Sequence, residues 1–360
     1  PSTIWGNLFS LFIHNFLLAV KNPILYFKAV KKAIVRWMRT RKSATLKHLL
    51  QAGYLVHKIL PGKNIVHFQA HFAHSPTSVA FFSSLLSNIP FSFFAHAKDI
   101  YTSDTRQLKE KIDMARFVVT CTKYNQAYLS ELAGKIQTPV FCVYHGINLD
   151  YFSSKERETK CTPPYKIITV ARMTQKKGLE DVYQALAVLR DKGFEFKHSL
   201  IGQGDDQPKI VALIKKLKLE KLTELCGTLT HEQVIGHYAS SDLFVLGCKI
   251  ADNGDRDGIP NVMAESMAMN LPVVATNVSG IPEFLEDRVT GLMVSQNDPL
   301  ALANAMETLL TDNVLRQQVA REAKKRITKE FNNKTLIMDL AGIYSKMITG
   351  LERDNIEIKN

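Results

Sequence analysis

Short apolar runs alternate with longer amphipathic stretches along most of the chain from residue 64 onward. A short apolar run bounded by turn-forming residues predicts a buried strand, and apolar residues spaced three or four apart predict a helix. Because predicted strands alternate with helices, the pattern indicates an α/β architecture with parallel sheets. The predicted strands are 64–69, 91–95, 117–121 and 140–144, followed by 166–171, 196–201, 222–226, 242–247, 273–276 and 291–294.

A polar segment divides this pattern into two halves. Residues 153–165 contain two adjacent prolines among charged and hydroxyl side chains, which is typical of an interdomain linker. The stretches on either side, 64–152 and 166–330, are each predicted to form one α/β domain. Residues 1–63 are predicted to be a basic amphipathic helical region of the first domain. Residues 331–360 are predicted to be a C-terminal helix that crosses back onto the first domain, followed by a polar tail.

The most informative stretch is 255–276, which predicts a loop, a helix and then a buried strand. Pro260 suits the first helical turn, where no backbone donor is lost, and Asn270 can adopt the left-handed conformation at the helix end. Asp257 lies in the loop and Glu265 about two turns into the helix. Both carboxylates can therefore face a cleft above the helix N-terminus, where free N–H groups favour a phosphate.

This stretch resembles the signature of retaining glycosyltransferases of family GT4. A carboxylate, seven residues and a glutamate are followed by an Ala-Met-x-x-x-Pro-Val-Val-Ala-like strand, although the family usually has Glu where this chain has Asp257. The resemblance covers roughly residues 64–350 and implies the GT-B fold, in which two Rossmann-like domains face each other across a cleft. It implies that 64–152 is the acceptor-side domain and 166–330 the nucleotide-sugar-binding domain. Nothing before residue 64 resembles the strand and glycine-rich loop that begin family members, so the N-terminal domain is expected to lack its first strand or strands.

A pair of cations supports the same interpretation. Strand 166–171 leads into Arg172-Met-Thr-Gln-Lys-Lys-Gly178, and the resemblance implies that Arg172 and Lys177 contact the diphosphate of a nucleotide-sugar donor. Cleavage of such a donor leaves negative charge on the β-phosphate, which must be stabilised as it develops. The sequence has no metal-ligand cluster, so fixed cations are expected to do this without a metal or other cofactor.

The resemblance also assigns roles to the remaining candidate residues. Glu265 is expected to hold donor hydroxyl groups, most of all those of the ribose, while Asp257 is expected to contact the donor sugar. A histidine at the position of His96 lies near the transferred sugar in the family, so His96 is expected near the reacting centre. The other donor-binding candidates are Gly204 in a glycine turn beside the nucleotide, and Ser279 and Gly280 in a turn beside the diphosphate or sugar.

The net charge of +12 is concentrated at one end of the chain. Residues 1–98 contain twelve Lys or Arg and no Asp or Glu, whereas the other 262 residues carry 34 basic and 34 acidic side chains. Aromatic residues, among them Trp5 and Trp37, are interspersed with these cations, which is typical of a surface that lies on an anionic membrane. The alternative is a pair of ordinary helices with a solvated basic face. Nucleic acid would also suit the charge, but no recognition motif accompanies it, so no nucleic-acid partner is predicted.

The cysteines favour a reducing compartment. Cys121, Cys142, Cys161, Cys226 and Cys248 show no paired spacing that would indicate a disulfide framework or a zinc site. The apolar run at 4–20 is interrupted by Asn and His and is shorter than the ~20 apolar residues that a membrane-spanning helix needs. It is not followed by a signal-peptide cleavage pattern. We therefore expect a cytoplasmic protein that is peripheral on the inner face of the cell membrane.

These features predict a retaining hexosyltransferase that uses a UDP- or GDP-linked sugar and a hydroxyl acceptor. The pattern Ala70-His-Phe-Ala-His with His96-Ala-Lys-Asp most resembles family members that build bacterial exopolysaccharide or colanic-acid-like units, which implies a saccharide acceptor on a lipid carrier. Two alternatives remain open, a sugar-nucleotide 2-epimerase and a non-catalytic membrane-associated GT-B subunit. The base, the sugar, the linkage, the acceptor and the oligomeric state are not specified by the sequence.

Overall fold

The computed structural model describes residues 7–152 and 161–357. Trp5, most of the predicted linker (153–160) and the last three residues of the predicted tail lie outside the described residues. The chain divides into two compact units, each with its own parallel sheet. Unit 1 comprises Pro1–Cys121, Asn125–Val143 and Leu340–Asn360, and unit 2 comprises Thr122–Tyr124 and Tyr144–Asp339.

Unit 1 begins with three helices, α1 (Leu8–Lys21), α2 (Pro23–Thr40) and α3 (Ala44–Tyr54), and a π-helical turn (Leu55–Ile59). Pro23 at the first position of α2 supplies the backbone angle of a helix start without losing a hydrogen bond. Leu11 and Leu18 are buried on one face of α1, and the side chain of Asn15 between them donates to the carbonyl of Leu50. Among the described helices of the chain, none is both long and apolar enough to cross a membrane.

The sheet of unit 1 has four parallel strands in the order β1-β2-β3-β4. All five residues of β2 are buried, as expected for a strand covered on both faces. The strands are β1 (Phe68–His71), β2 (Phe91–Ala95), β3 (Val118–Thr120) and β4 (Val140–Cys142), and the helices that accompany them are α4 (Ser75–Ser87), α5 (Ala97–Tyr101), α6 (Thr105–Met114), α7 (Lys123–Ala133) and the end of α14 (Asn333–Glu357).

The strand predicted at 64–69 is wrong at its start, because β1 begins only at Phe68. In the parallel pairing, Phe68 aligns with Phe91, the residue after Pro90, and its N–H donates to the Pro90 carbonyl. Strand β2 starts directly after Pro90, so residues 64–67 have no strand to pair with there. Ile65 and Val66 are instead exposed.

Unit 2 has a six-stranded parallel sheet in the order β10-β9-β8-β5-β6-β7. Strands 196–201 and 273–276 agree with the prediction to the residue, and Asn270 has the predicted left-handed backbone (φ +56°). The elements are β5 (Tyr165–Val170), α8 (Leu179–Asp191), β6 (Phe196–Ile201), α9 (Gln207–Lys216), β7 (Thr223–Gly227), α10 (His231–Ser240), β8 (Leu243–Leu246), α11 (Asn261–Ala268), β9 (Val273–Thr276), β10 (Leu292–Val294), α12 (Pro299–Thr311), α13 (Asn313–Glu330) and the start of α14.

The strand order of unit 2 defines where a ligand is expected. Strand β5 has β6 on one side and β8 on the other, so the chain reverses its direction of travel across the sheet at β5. In open parallel sheets, ligands bind beyond the carboxyl ends of the strands at such a switch point. The loop after β5 carries Arg172 and Lys177, and the loop after β8 leads to Asp257.

Candidate functional site

Two glycines bring the loops after β5 and β8 together. Gly178 has a left-handed backbone (φ +58°), and a Cβ placed on it would lie 1.6 Å from the carbonyl oxygen of Gly247. No other residue type fits so close a crossing of two backbones. The 3₁₀ turn Gln175–Lys177 directly precedes Gly178, so the crossing places Lys177 beside the end of β8.

At this crossing, one carboxylate holds two lysines. The Oδ2 atom of Asp257 lies 2.5 Å from Lys177 Nζ, and its Oδ1 atom lies 3.2 Å from Lys176 Nζ. Lys176 also reaches Oδ1 of Asp255 at 3.1 Å. Cys248 completes the cluster, with its Sγ atom 3.5 Å from Asp257 Oδ2. The side chains of Lys177 and Asp257 are only 14% and 15% exposed, so little water screens their attraction.

The electrostatics of the cluster favour the charged forms of both partners. Burial alone would raise the pKa of Asp257, but the ammonium groups of Lys177 and Lys176 outweigh it and hold that pKa below its ordinary value. Burial alone would lower the pKa of Lys177, but the Asp257 carboxylate has the larger effect and raises that pKa above its ordinary value. Burial, followed by the charge of Asp257, raises the pKa of the Cys248 thiol, which keeps this cysteine protonated.

Arg172 adds an available cation next to this cluster. Its side chain is exposed and forms no hydrogen bond or ion pair with any residue in the described part of the chain. The loop that carries it is fixed by its backbone, because Met173 donates to the carbonyl of Gln203 and accepts from Asp206. A Cβ on Gly204 would lie 2.3 Å from the Met173 carbonyl oxygen. Gly204 therefore permits the turn after β6 to pack against the backbone beside Arg172.

Glu265 lies on α11, where burial raises the pKa of its carboxyl group. The hydroxyl of Tyr238 donates to Oε2 of Glu265 at 3.1 Å and lies 3.3 Å from the carbonyl oxygen of Val262. Tyr238 is itself fully buried, so its ring fixes the position of the hydroxyl. One Glu265 oxygen is thus oriented by the protein, and the half-buried carboxylate retains acceptor capacity for the hydroxyl groups of a ligand.

The turn after β9 has an unusual backbone. Ser279 is in the left-handed region (φ +53°), and its buried Oγ atom has no hydrogen-bond partner among the described residues. Backbone strain of this kind occurs preferentially at ligand sites. A Cβ on Gly280 would lie 3.2 Å from the carbonyl oxygen of Gly258, so the turn passes close to the loop that carries Asp257.

Seven of the eight predicted site residues belong to unit 2, and His96 belongs to unit 1. His96 precedes α5, and its N–H donates to Oδ1 of Asp99 at 3.0 Å. Its ring lies 4.9 Å from the ring of Phe94 and 4.8 Å from that of Phe72 between centroids. Burial, with a smaller contribution from His71, lowers the pKa of His96 to about 4, so the imidazole is neutral at pH 7.

Three residues of the unit 2 site were not among the sequence candidates. Lys176 was overlooked because the spacing argument selected only its neighbour Lys177. Cys248 carried no signal, since a lone cysteine after a strand is usually a packing residue. Tyr238 occupies a core position of α10, and only the tertiary structure shows that its hydroxyl reaches Glu265.

Comparison with known proteins finds a similarity that includes the residues of this site in unit 2. Residues 150–326 match the family described as "Glycosyl transferases group 1". The chain is 33% identical over 201 residues to WcaL of Escherichia coli K12, which is named for colanic acid biosynthesis. It is also 33% identical over 202 residues to the amylovoran biosynthesis glycosyltransferase AmsK of Erwinia amylovora. These matches confirm the resemblance that the motifs predicted.

The two matches cover 55% and 56% of this chain and 49% of each relative, so the chain spans about half the length of the curated relatives it matches. Among solved structures, sucrose-phosphate synthase from Thermosynechococcus elongatus superposes with a TM-score of 0.72 at 18% identity, covering 84% of this chain and 79% of that one. HepE of Anabaena in complex with UDP-glucose has a TM-score of 0.67 at 18% identity, covering 78% and 79%. The predicted α/β GT-B fold class is confirmed.

Proposed function

We propose that this protein is a glycosyltransferase that moves a sugar from a nucleoside-diphosphate donor to a hydroxyl group of a saccharide acceptor, with retention of anomeric configuration. The observation that carries the proposal is the cluster of Lys177, Lys176 and Asp257 beside the exposed Arg172 at the switch point of unit 2. The names of WcaL and AmsK support exopolysaccharide synthesis. The UDP-glucose in the HepE structure supports a nucleotide-sugar donor.

The charge of the cluster suits a diphosphate. Three cations, Arg172, Lys176 and Lys177, are balanced by only two carboxylates, those of Asp255 and Asp257. One positive charge therefore remains for an anionic ligand, and the exposed Arg172 presents it in a planar form that suits phosphate oxygens. As the bond to the sugar breaks, charge grows on the β-phosphate, and cations already held in place stabilise it without reorganisation.

Around the diphosphate, we assign the other residues to the two ends of the donor. Glu265, oriented by Tyr238, accepts hydrogen bonds from ribose hydroxyl groups. Asp257 contacts the transferred sugar, a role that is compatible with its ion pair because a carboxylate has several acceptor sites. The hydroxyl of Ser279, which has no partner among the described residues, forms a further hydrogen bond to the diphosphate or sugar in this proposal. His96, neutral at pH 7, lies near the reacting centre in this proposal.

We further propose that the acceptor is carried by a lipid and that α1 and α2 bind an anionic membrane. The face of α1 opposite its buried residues is apolar and exposed, with Phe9 82% exposed and Phe12 and Phe16 beside it. On α2, the exposed Phe27 lies next to Lys28. Apolar rings that are interspersed with lysines, without any acidic residue before Asp99, suit the interface of an anionic bilayer better than water.

Liposome flotation tests the membrane assignment. We expect the protein to float with vesicles that contain anionic lipid and to remain unbound with neutral vesicles. Replacing Phe12 and Phe16 together with Ser should abolish flotation, because these rings would provide the apolar contact. The matched control is Val314→Ser, another exposed apolar residue, in unit 2. Equal binding to neutral and anionic vesicles would contradict the assignment.

Donor turnover tests the enzymatic proposal. The protein is incubated with UDP- and GDP-sugars, with and without a polyprenyl-diphosphate-linked saccharide, and nucleotide release and the anomeric configuration of the product are measured. We expect release that depends on the acceptor and is lost in Glu265→Ala, with the exposed Glu220→Ala as control. Release that needs no acceptor and yields the epimerised sugar would favour the epimerase, and no release with any donor would favour the non-catalytic subunit.

A further inference from the structure

A strained loop follows β1 in unit 1. Phe72 has a left-handed backbone (φ +72°), which a bulky residue adopts only when the surrounding structure imposes it. Its N–H donates to the carbonyl of Phe94, and its carbonyl accepts from the hydroxyl of Thr77 at 2.7 Å. Phe72 is 45% exposed. The fold therefore holds a large aromatic side chain outward in a conformation that costs free energy.

Two buried ionisable side chains, Asp99 and Lys111, form hydrogen bonds to the backbone of this loop. The Asp99 carboxylate accepts from the N–H of Ala73, and Lys111 Nζ donates to the carbonyl of Ala73 at 2.6 Å and to that of His74 at 3.0 Å. Lys111 is only 3% exposed and Asp99 only 1%. Removing charges from water is costly, and here both are used on a single peptide segment. The shape of the segment Phe72–His74 is thus rigidly specified.

The loop completes a continuous row of rings. Between centroids, Phe72 lies 5.6 Å from His74 and 4.8 Å from His96, and Phe94 lies 4.9 Å from His96 and 5.9 Å from His71. The inner ring, Phe94, is buried, whereas the rings of His71, Phe72 and His74 are exposed. The row lies at the carboxyl ends of β1 and β2. Its phenylalanine rings provide an apolar surface, and its histidine rings place imidazole nitrogens beside that surface.

We propose that Phe72 and His74 form a sugar-binding platform for the saccharide acceptor, and that Lys111 and Asp99 are the positioning residues that shape it. A sugar ring has an apolar C–H face and an edge of hydroxyl groups. The ring of Phe72 matches the first. The Nδ1 atom of His74 accepts from the N–H of Ser75, which leaves Nε2–H of the imidazole to donate to a hydroxyl group of the second. This proposal rests on the glycosyltransferase function above and names the acceptor contact of unit 1.

Saccharide binding without any donor tests the platform independently of transfer. Saturation-transfer NMR is recorded on the full chain with lactose, cellobiose and maltose as soluble probes. We expect binding of at least one disaccharide, weakened at least about tenfold in Phe72→Gly and retained within about threefold in Phe72→Tyr. Because glycine relieves the left-handed strain, Phe72→Gly should be as thermally stable as the wild type, which separates loss of the ring from loss of the fold.

The positioning role is tested by a double-mutant cycle. Lys111→Met alone should weaken disaccharide binding about tenfold, but should add less than about twofold in the Phe72→Gly background, because the loop then has no ring to present. Equal effects in both backgrounds would mean that Lys111 is only structural. Disaccharide binding that is absent, or indifferent to Phe72→Gly, would overturn the platform. Absent nucleotide release with intact disaccharide binding would instead count against the proposed transfer reaction.

Discussion

Units 1 and 2 have related parallel sheets but place their charges differently. In unit 2, Lys177 and Asp257 lie in loops beyond the carboxyl ends of the strands, with 14% and 15% of their side chains exposed, and the strands beneath are apolar. In unit 1, Arg36 and Lys111 are buried at 1% and 3% exposure, while phenylalanines of α1 are exposed. Unit 2 thus keeps its site cations partly exposed above an apolar core, whereas unit 1 buries two of its cations and exposes phenylalanines beside the exposed lysines of α1 and α2.

This difference fits the partners that we propose for each unit. In the proposed function, the anionic donor is bound by cations in the loops of unit 2, and such residues stand in short, recognisable motifs. Buried cations cannot bind a ligand, and those of unit 1 instead fix backbone and neighbouring helices. Lys111 holds the loop after β1, and Arg36 pairs with Glu110. Each prediction below tests one side of this contrast.

The largest effect is expected at the donor site. Lys177→Met should lower kcat/KM for transfer by about 10²–10³, equivalent to about 3–4 kcal/mol of transition-state stabilisation. The reason is that Lys177 is a preorganised cation at the proposed diphosphate. Steady-state kinetics measure the loss, with the exposed Lys215→Met as control. A variant within threefold of the wild type would remove Lys177 from the diphosphate site.

In unit 1, the corresponding loss should appear in stability. Glu110 bridges Arg36 at 2.8 Å and Arg39 at 2.8 Å, and Lys32 lies 3.7 Å away. Glu110→Gln should reduce the free energy of unfolding by about 3 kcal/mol, because it leaves the buried Arg36 without a counter-charge. Urea denaturation measures this change, and Glu131→Gln, at an exposed position, is the control variant. Equal midpoints for the two variants would show that the buried pair contributes nothing.

The backbone crossing in unit 2 offers a test with an internal control. Gly178→Ala should destabilise the protein by at least about 2 kcal/mol more than Gly193→Ala. Both glycines have positive φ, so alanine at either position costs about 1–2 kcal/mol for adopting the left-handed backbone conformation. Only at Gly178 would the new Cβ meet the Gly247 carbonyl, whereas Gly193 faces open space. Similar unfolding free energies would mean that the two loops can separate without cost.

The smallest effect concerns the pH dependence of unit 1. Burial, and then the charge of Arg36, lowers the pKa of Lys111 from 10.5 to about 7. Between these values the unfolded chain binds more protons than the folded one, so stability should rise with pH. From pH 7 to 8.5 the free energy of unfolding of the wild type should increase by about 1–2 kcal/mol more than that of Lys111→Met. The same change in the free energy of unfolding with pH for the wild type and for Lys111→Met would contradict this prediction.

Much of unit 2 could be predicted from the sequence because its signals are local. Strand 273–276 follows a helix that ends at Asn270, and the structure has both features as predicted. Thr230 and Gln233, three positions apart, likewise form a capping box at the start of α10. Such features depend on neighbours within a few residues, which the sequence displays directly.

The remaining features depend on contacts between distant parts of the chain. The predicted start of β1 was wrong because the pairing begins where the neighbouring strand begins, directly after Pro90. The burial of Lys111 under the carbonyl of Ala73 joins residues 38 positions apart, and a lysine on an amphipathic helix otherwise suggests a solvated position. The orientation of Glu265 by Tyr238 spans 27 positions. In the same way, the spacing of Lys177 gave no indication that Lys176 shares its carboxylate.

The central claim is that the cations of unit 2 bind a nucleoside diphosphate, and nucleotide-induced thermal stabilisation tests it most directly. The melting temperature is measured with UDP, GDP, ADP and CDP for the wild type and for an Arg172→Ala, Lys177→Ala double variant. A ligand present at 100 times its Kd stabilises the folded state by about 2.7 kcal/mol. We predict a clear rise with UDP or GDP that the double variant loses. No rise with any nucleotide, or an equal rise in both proteins, would contradict the claim.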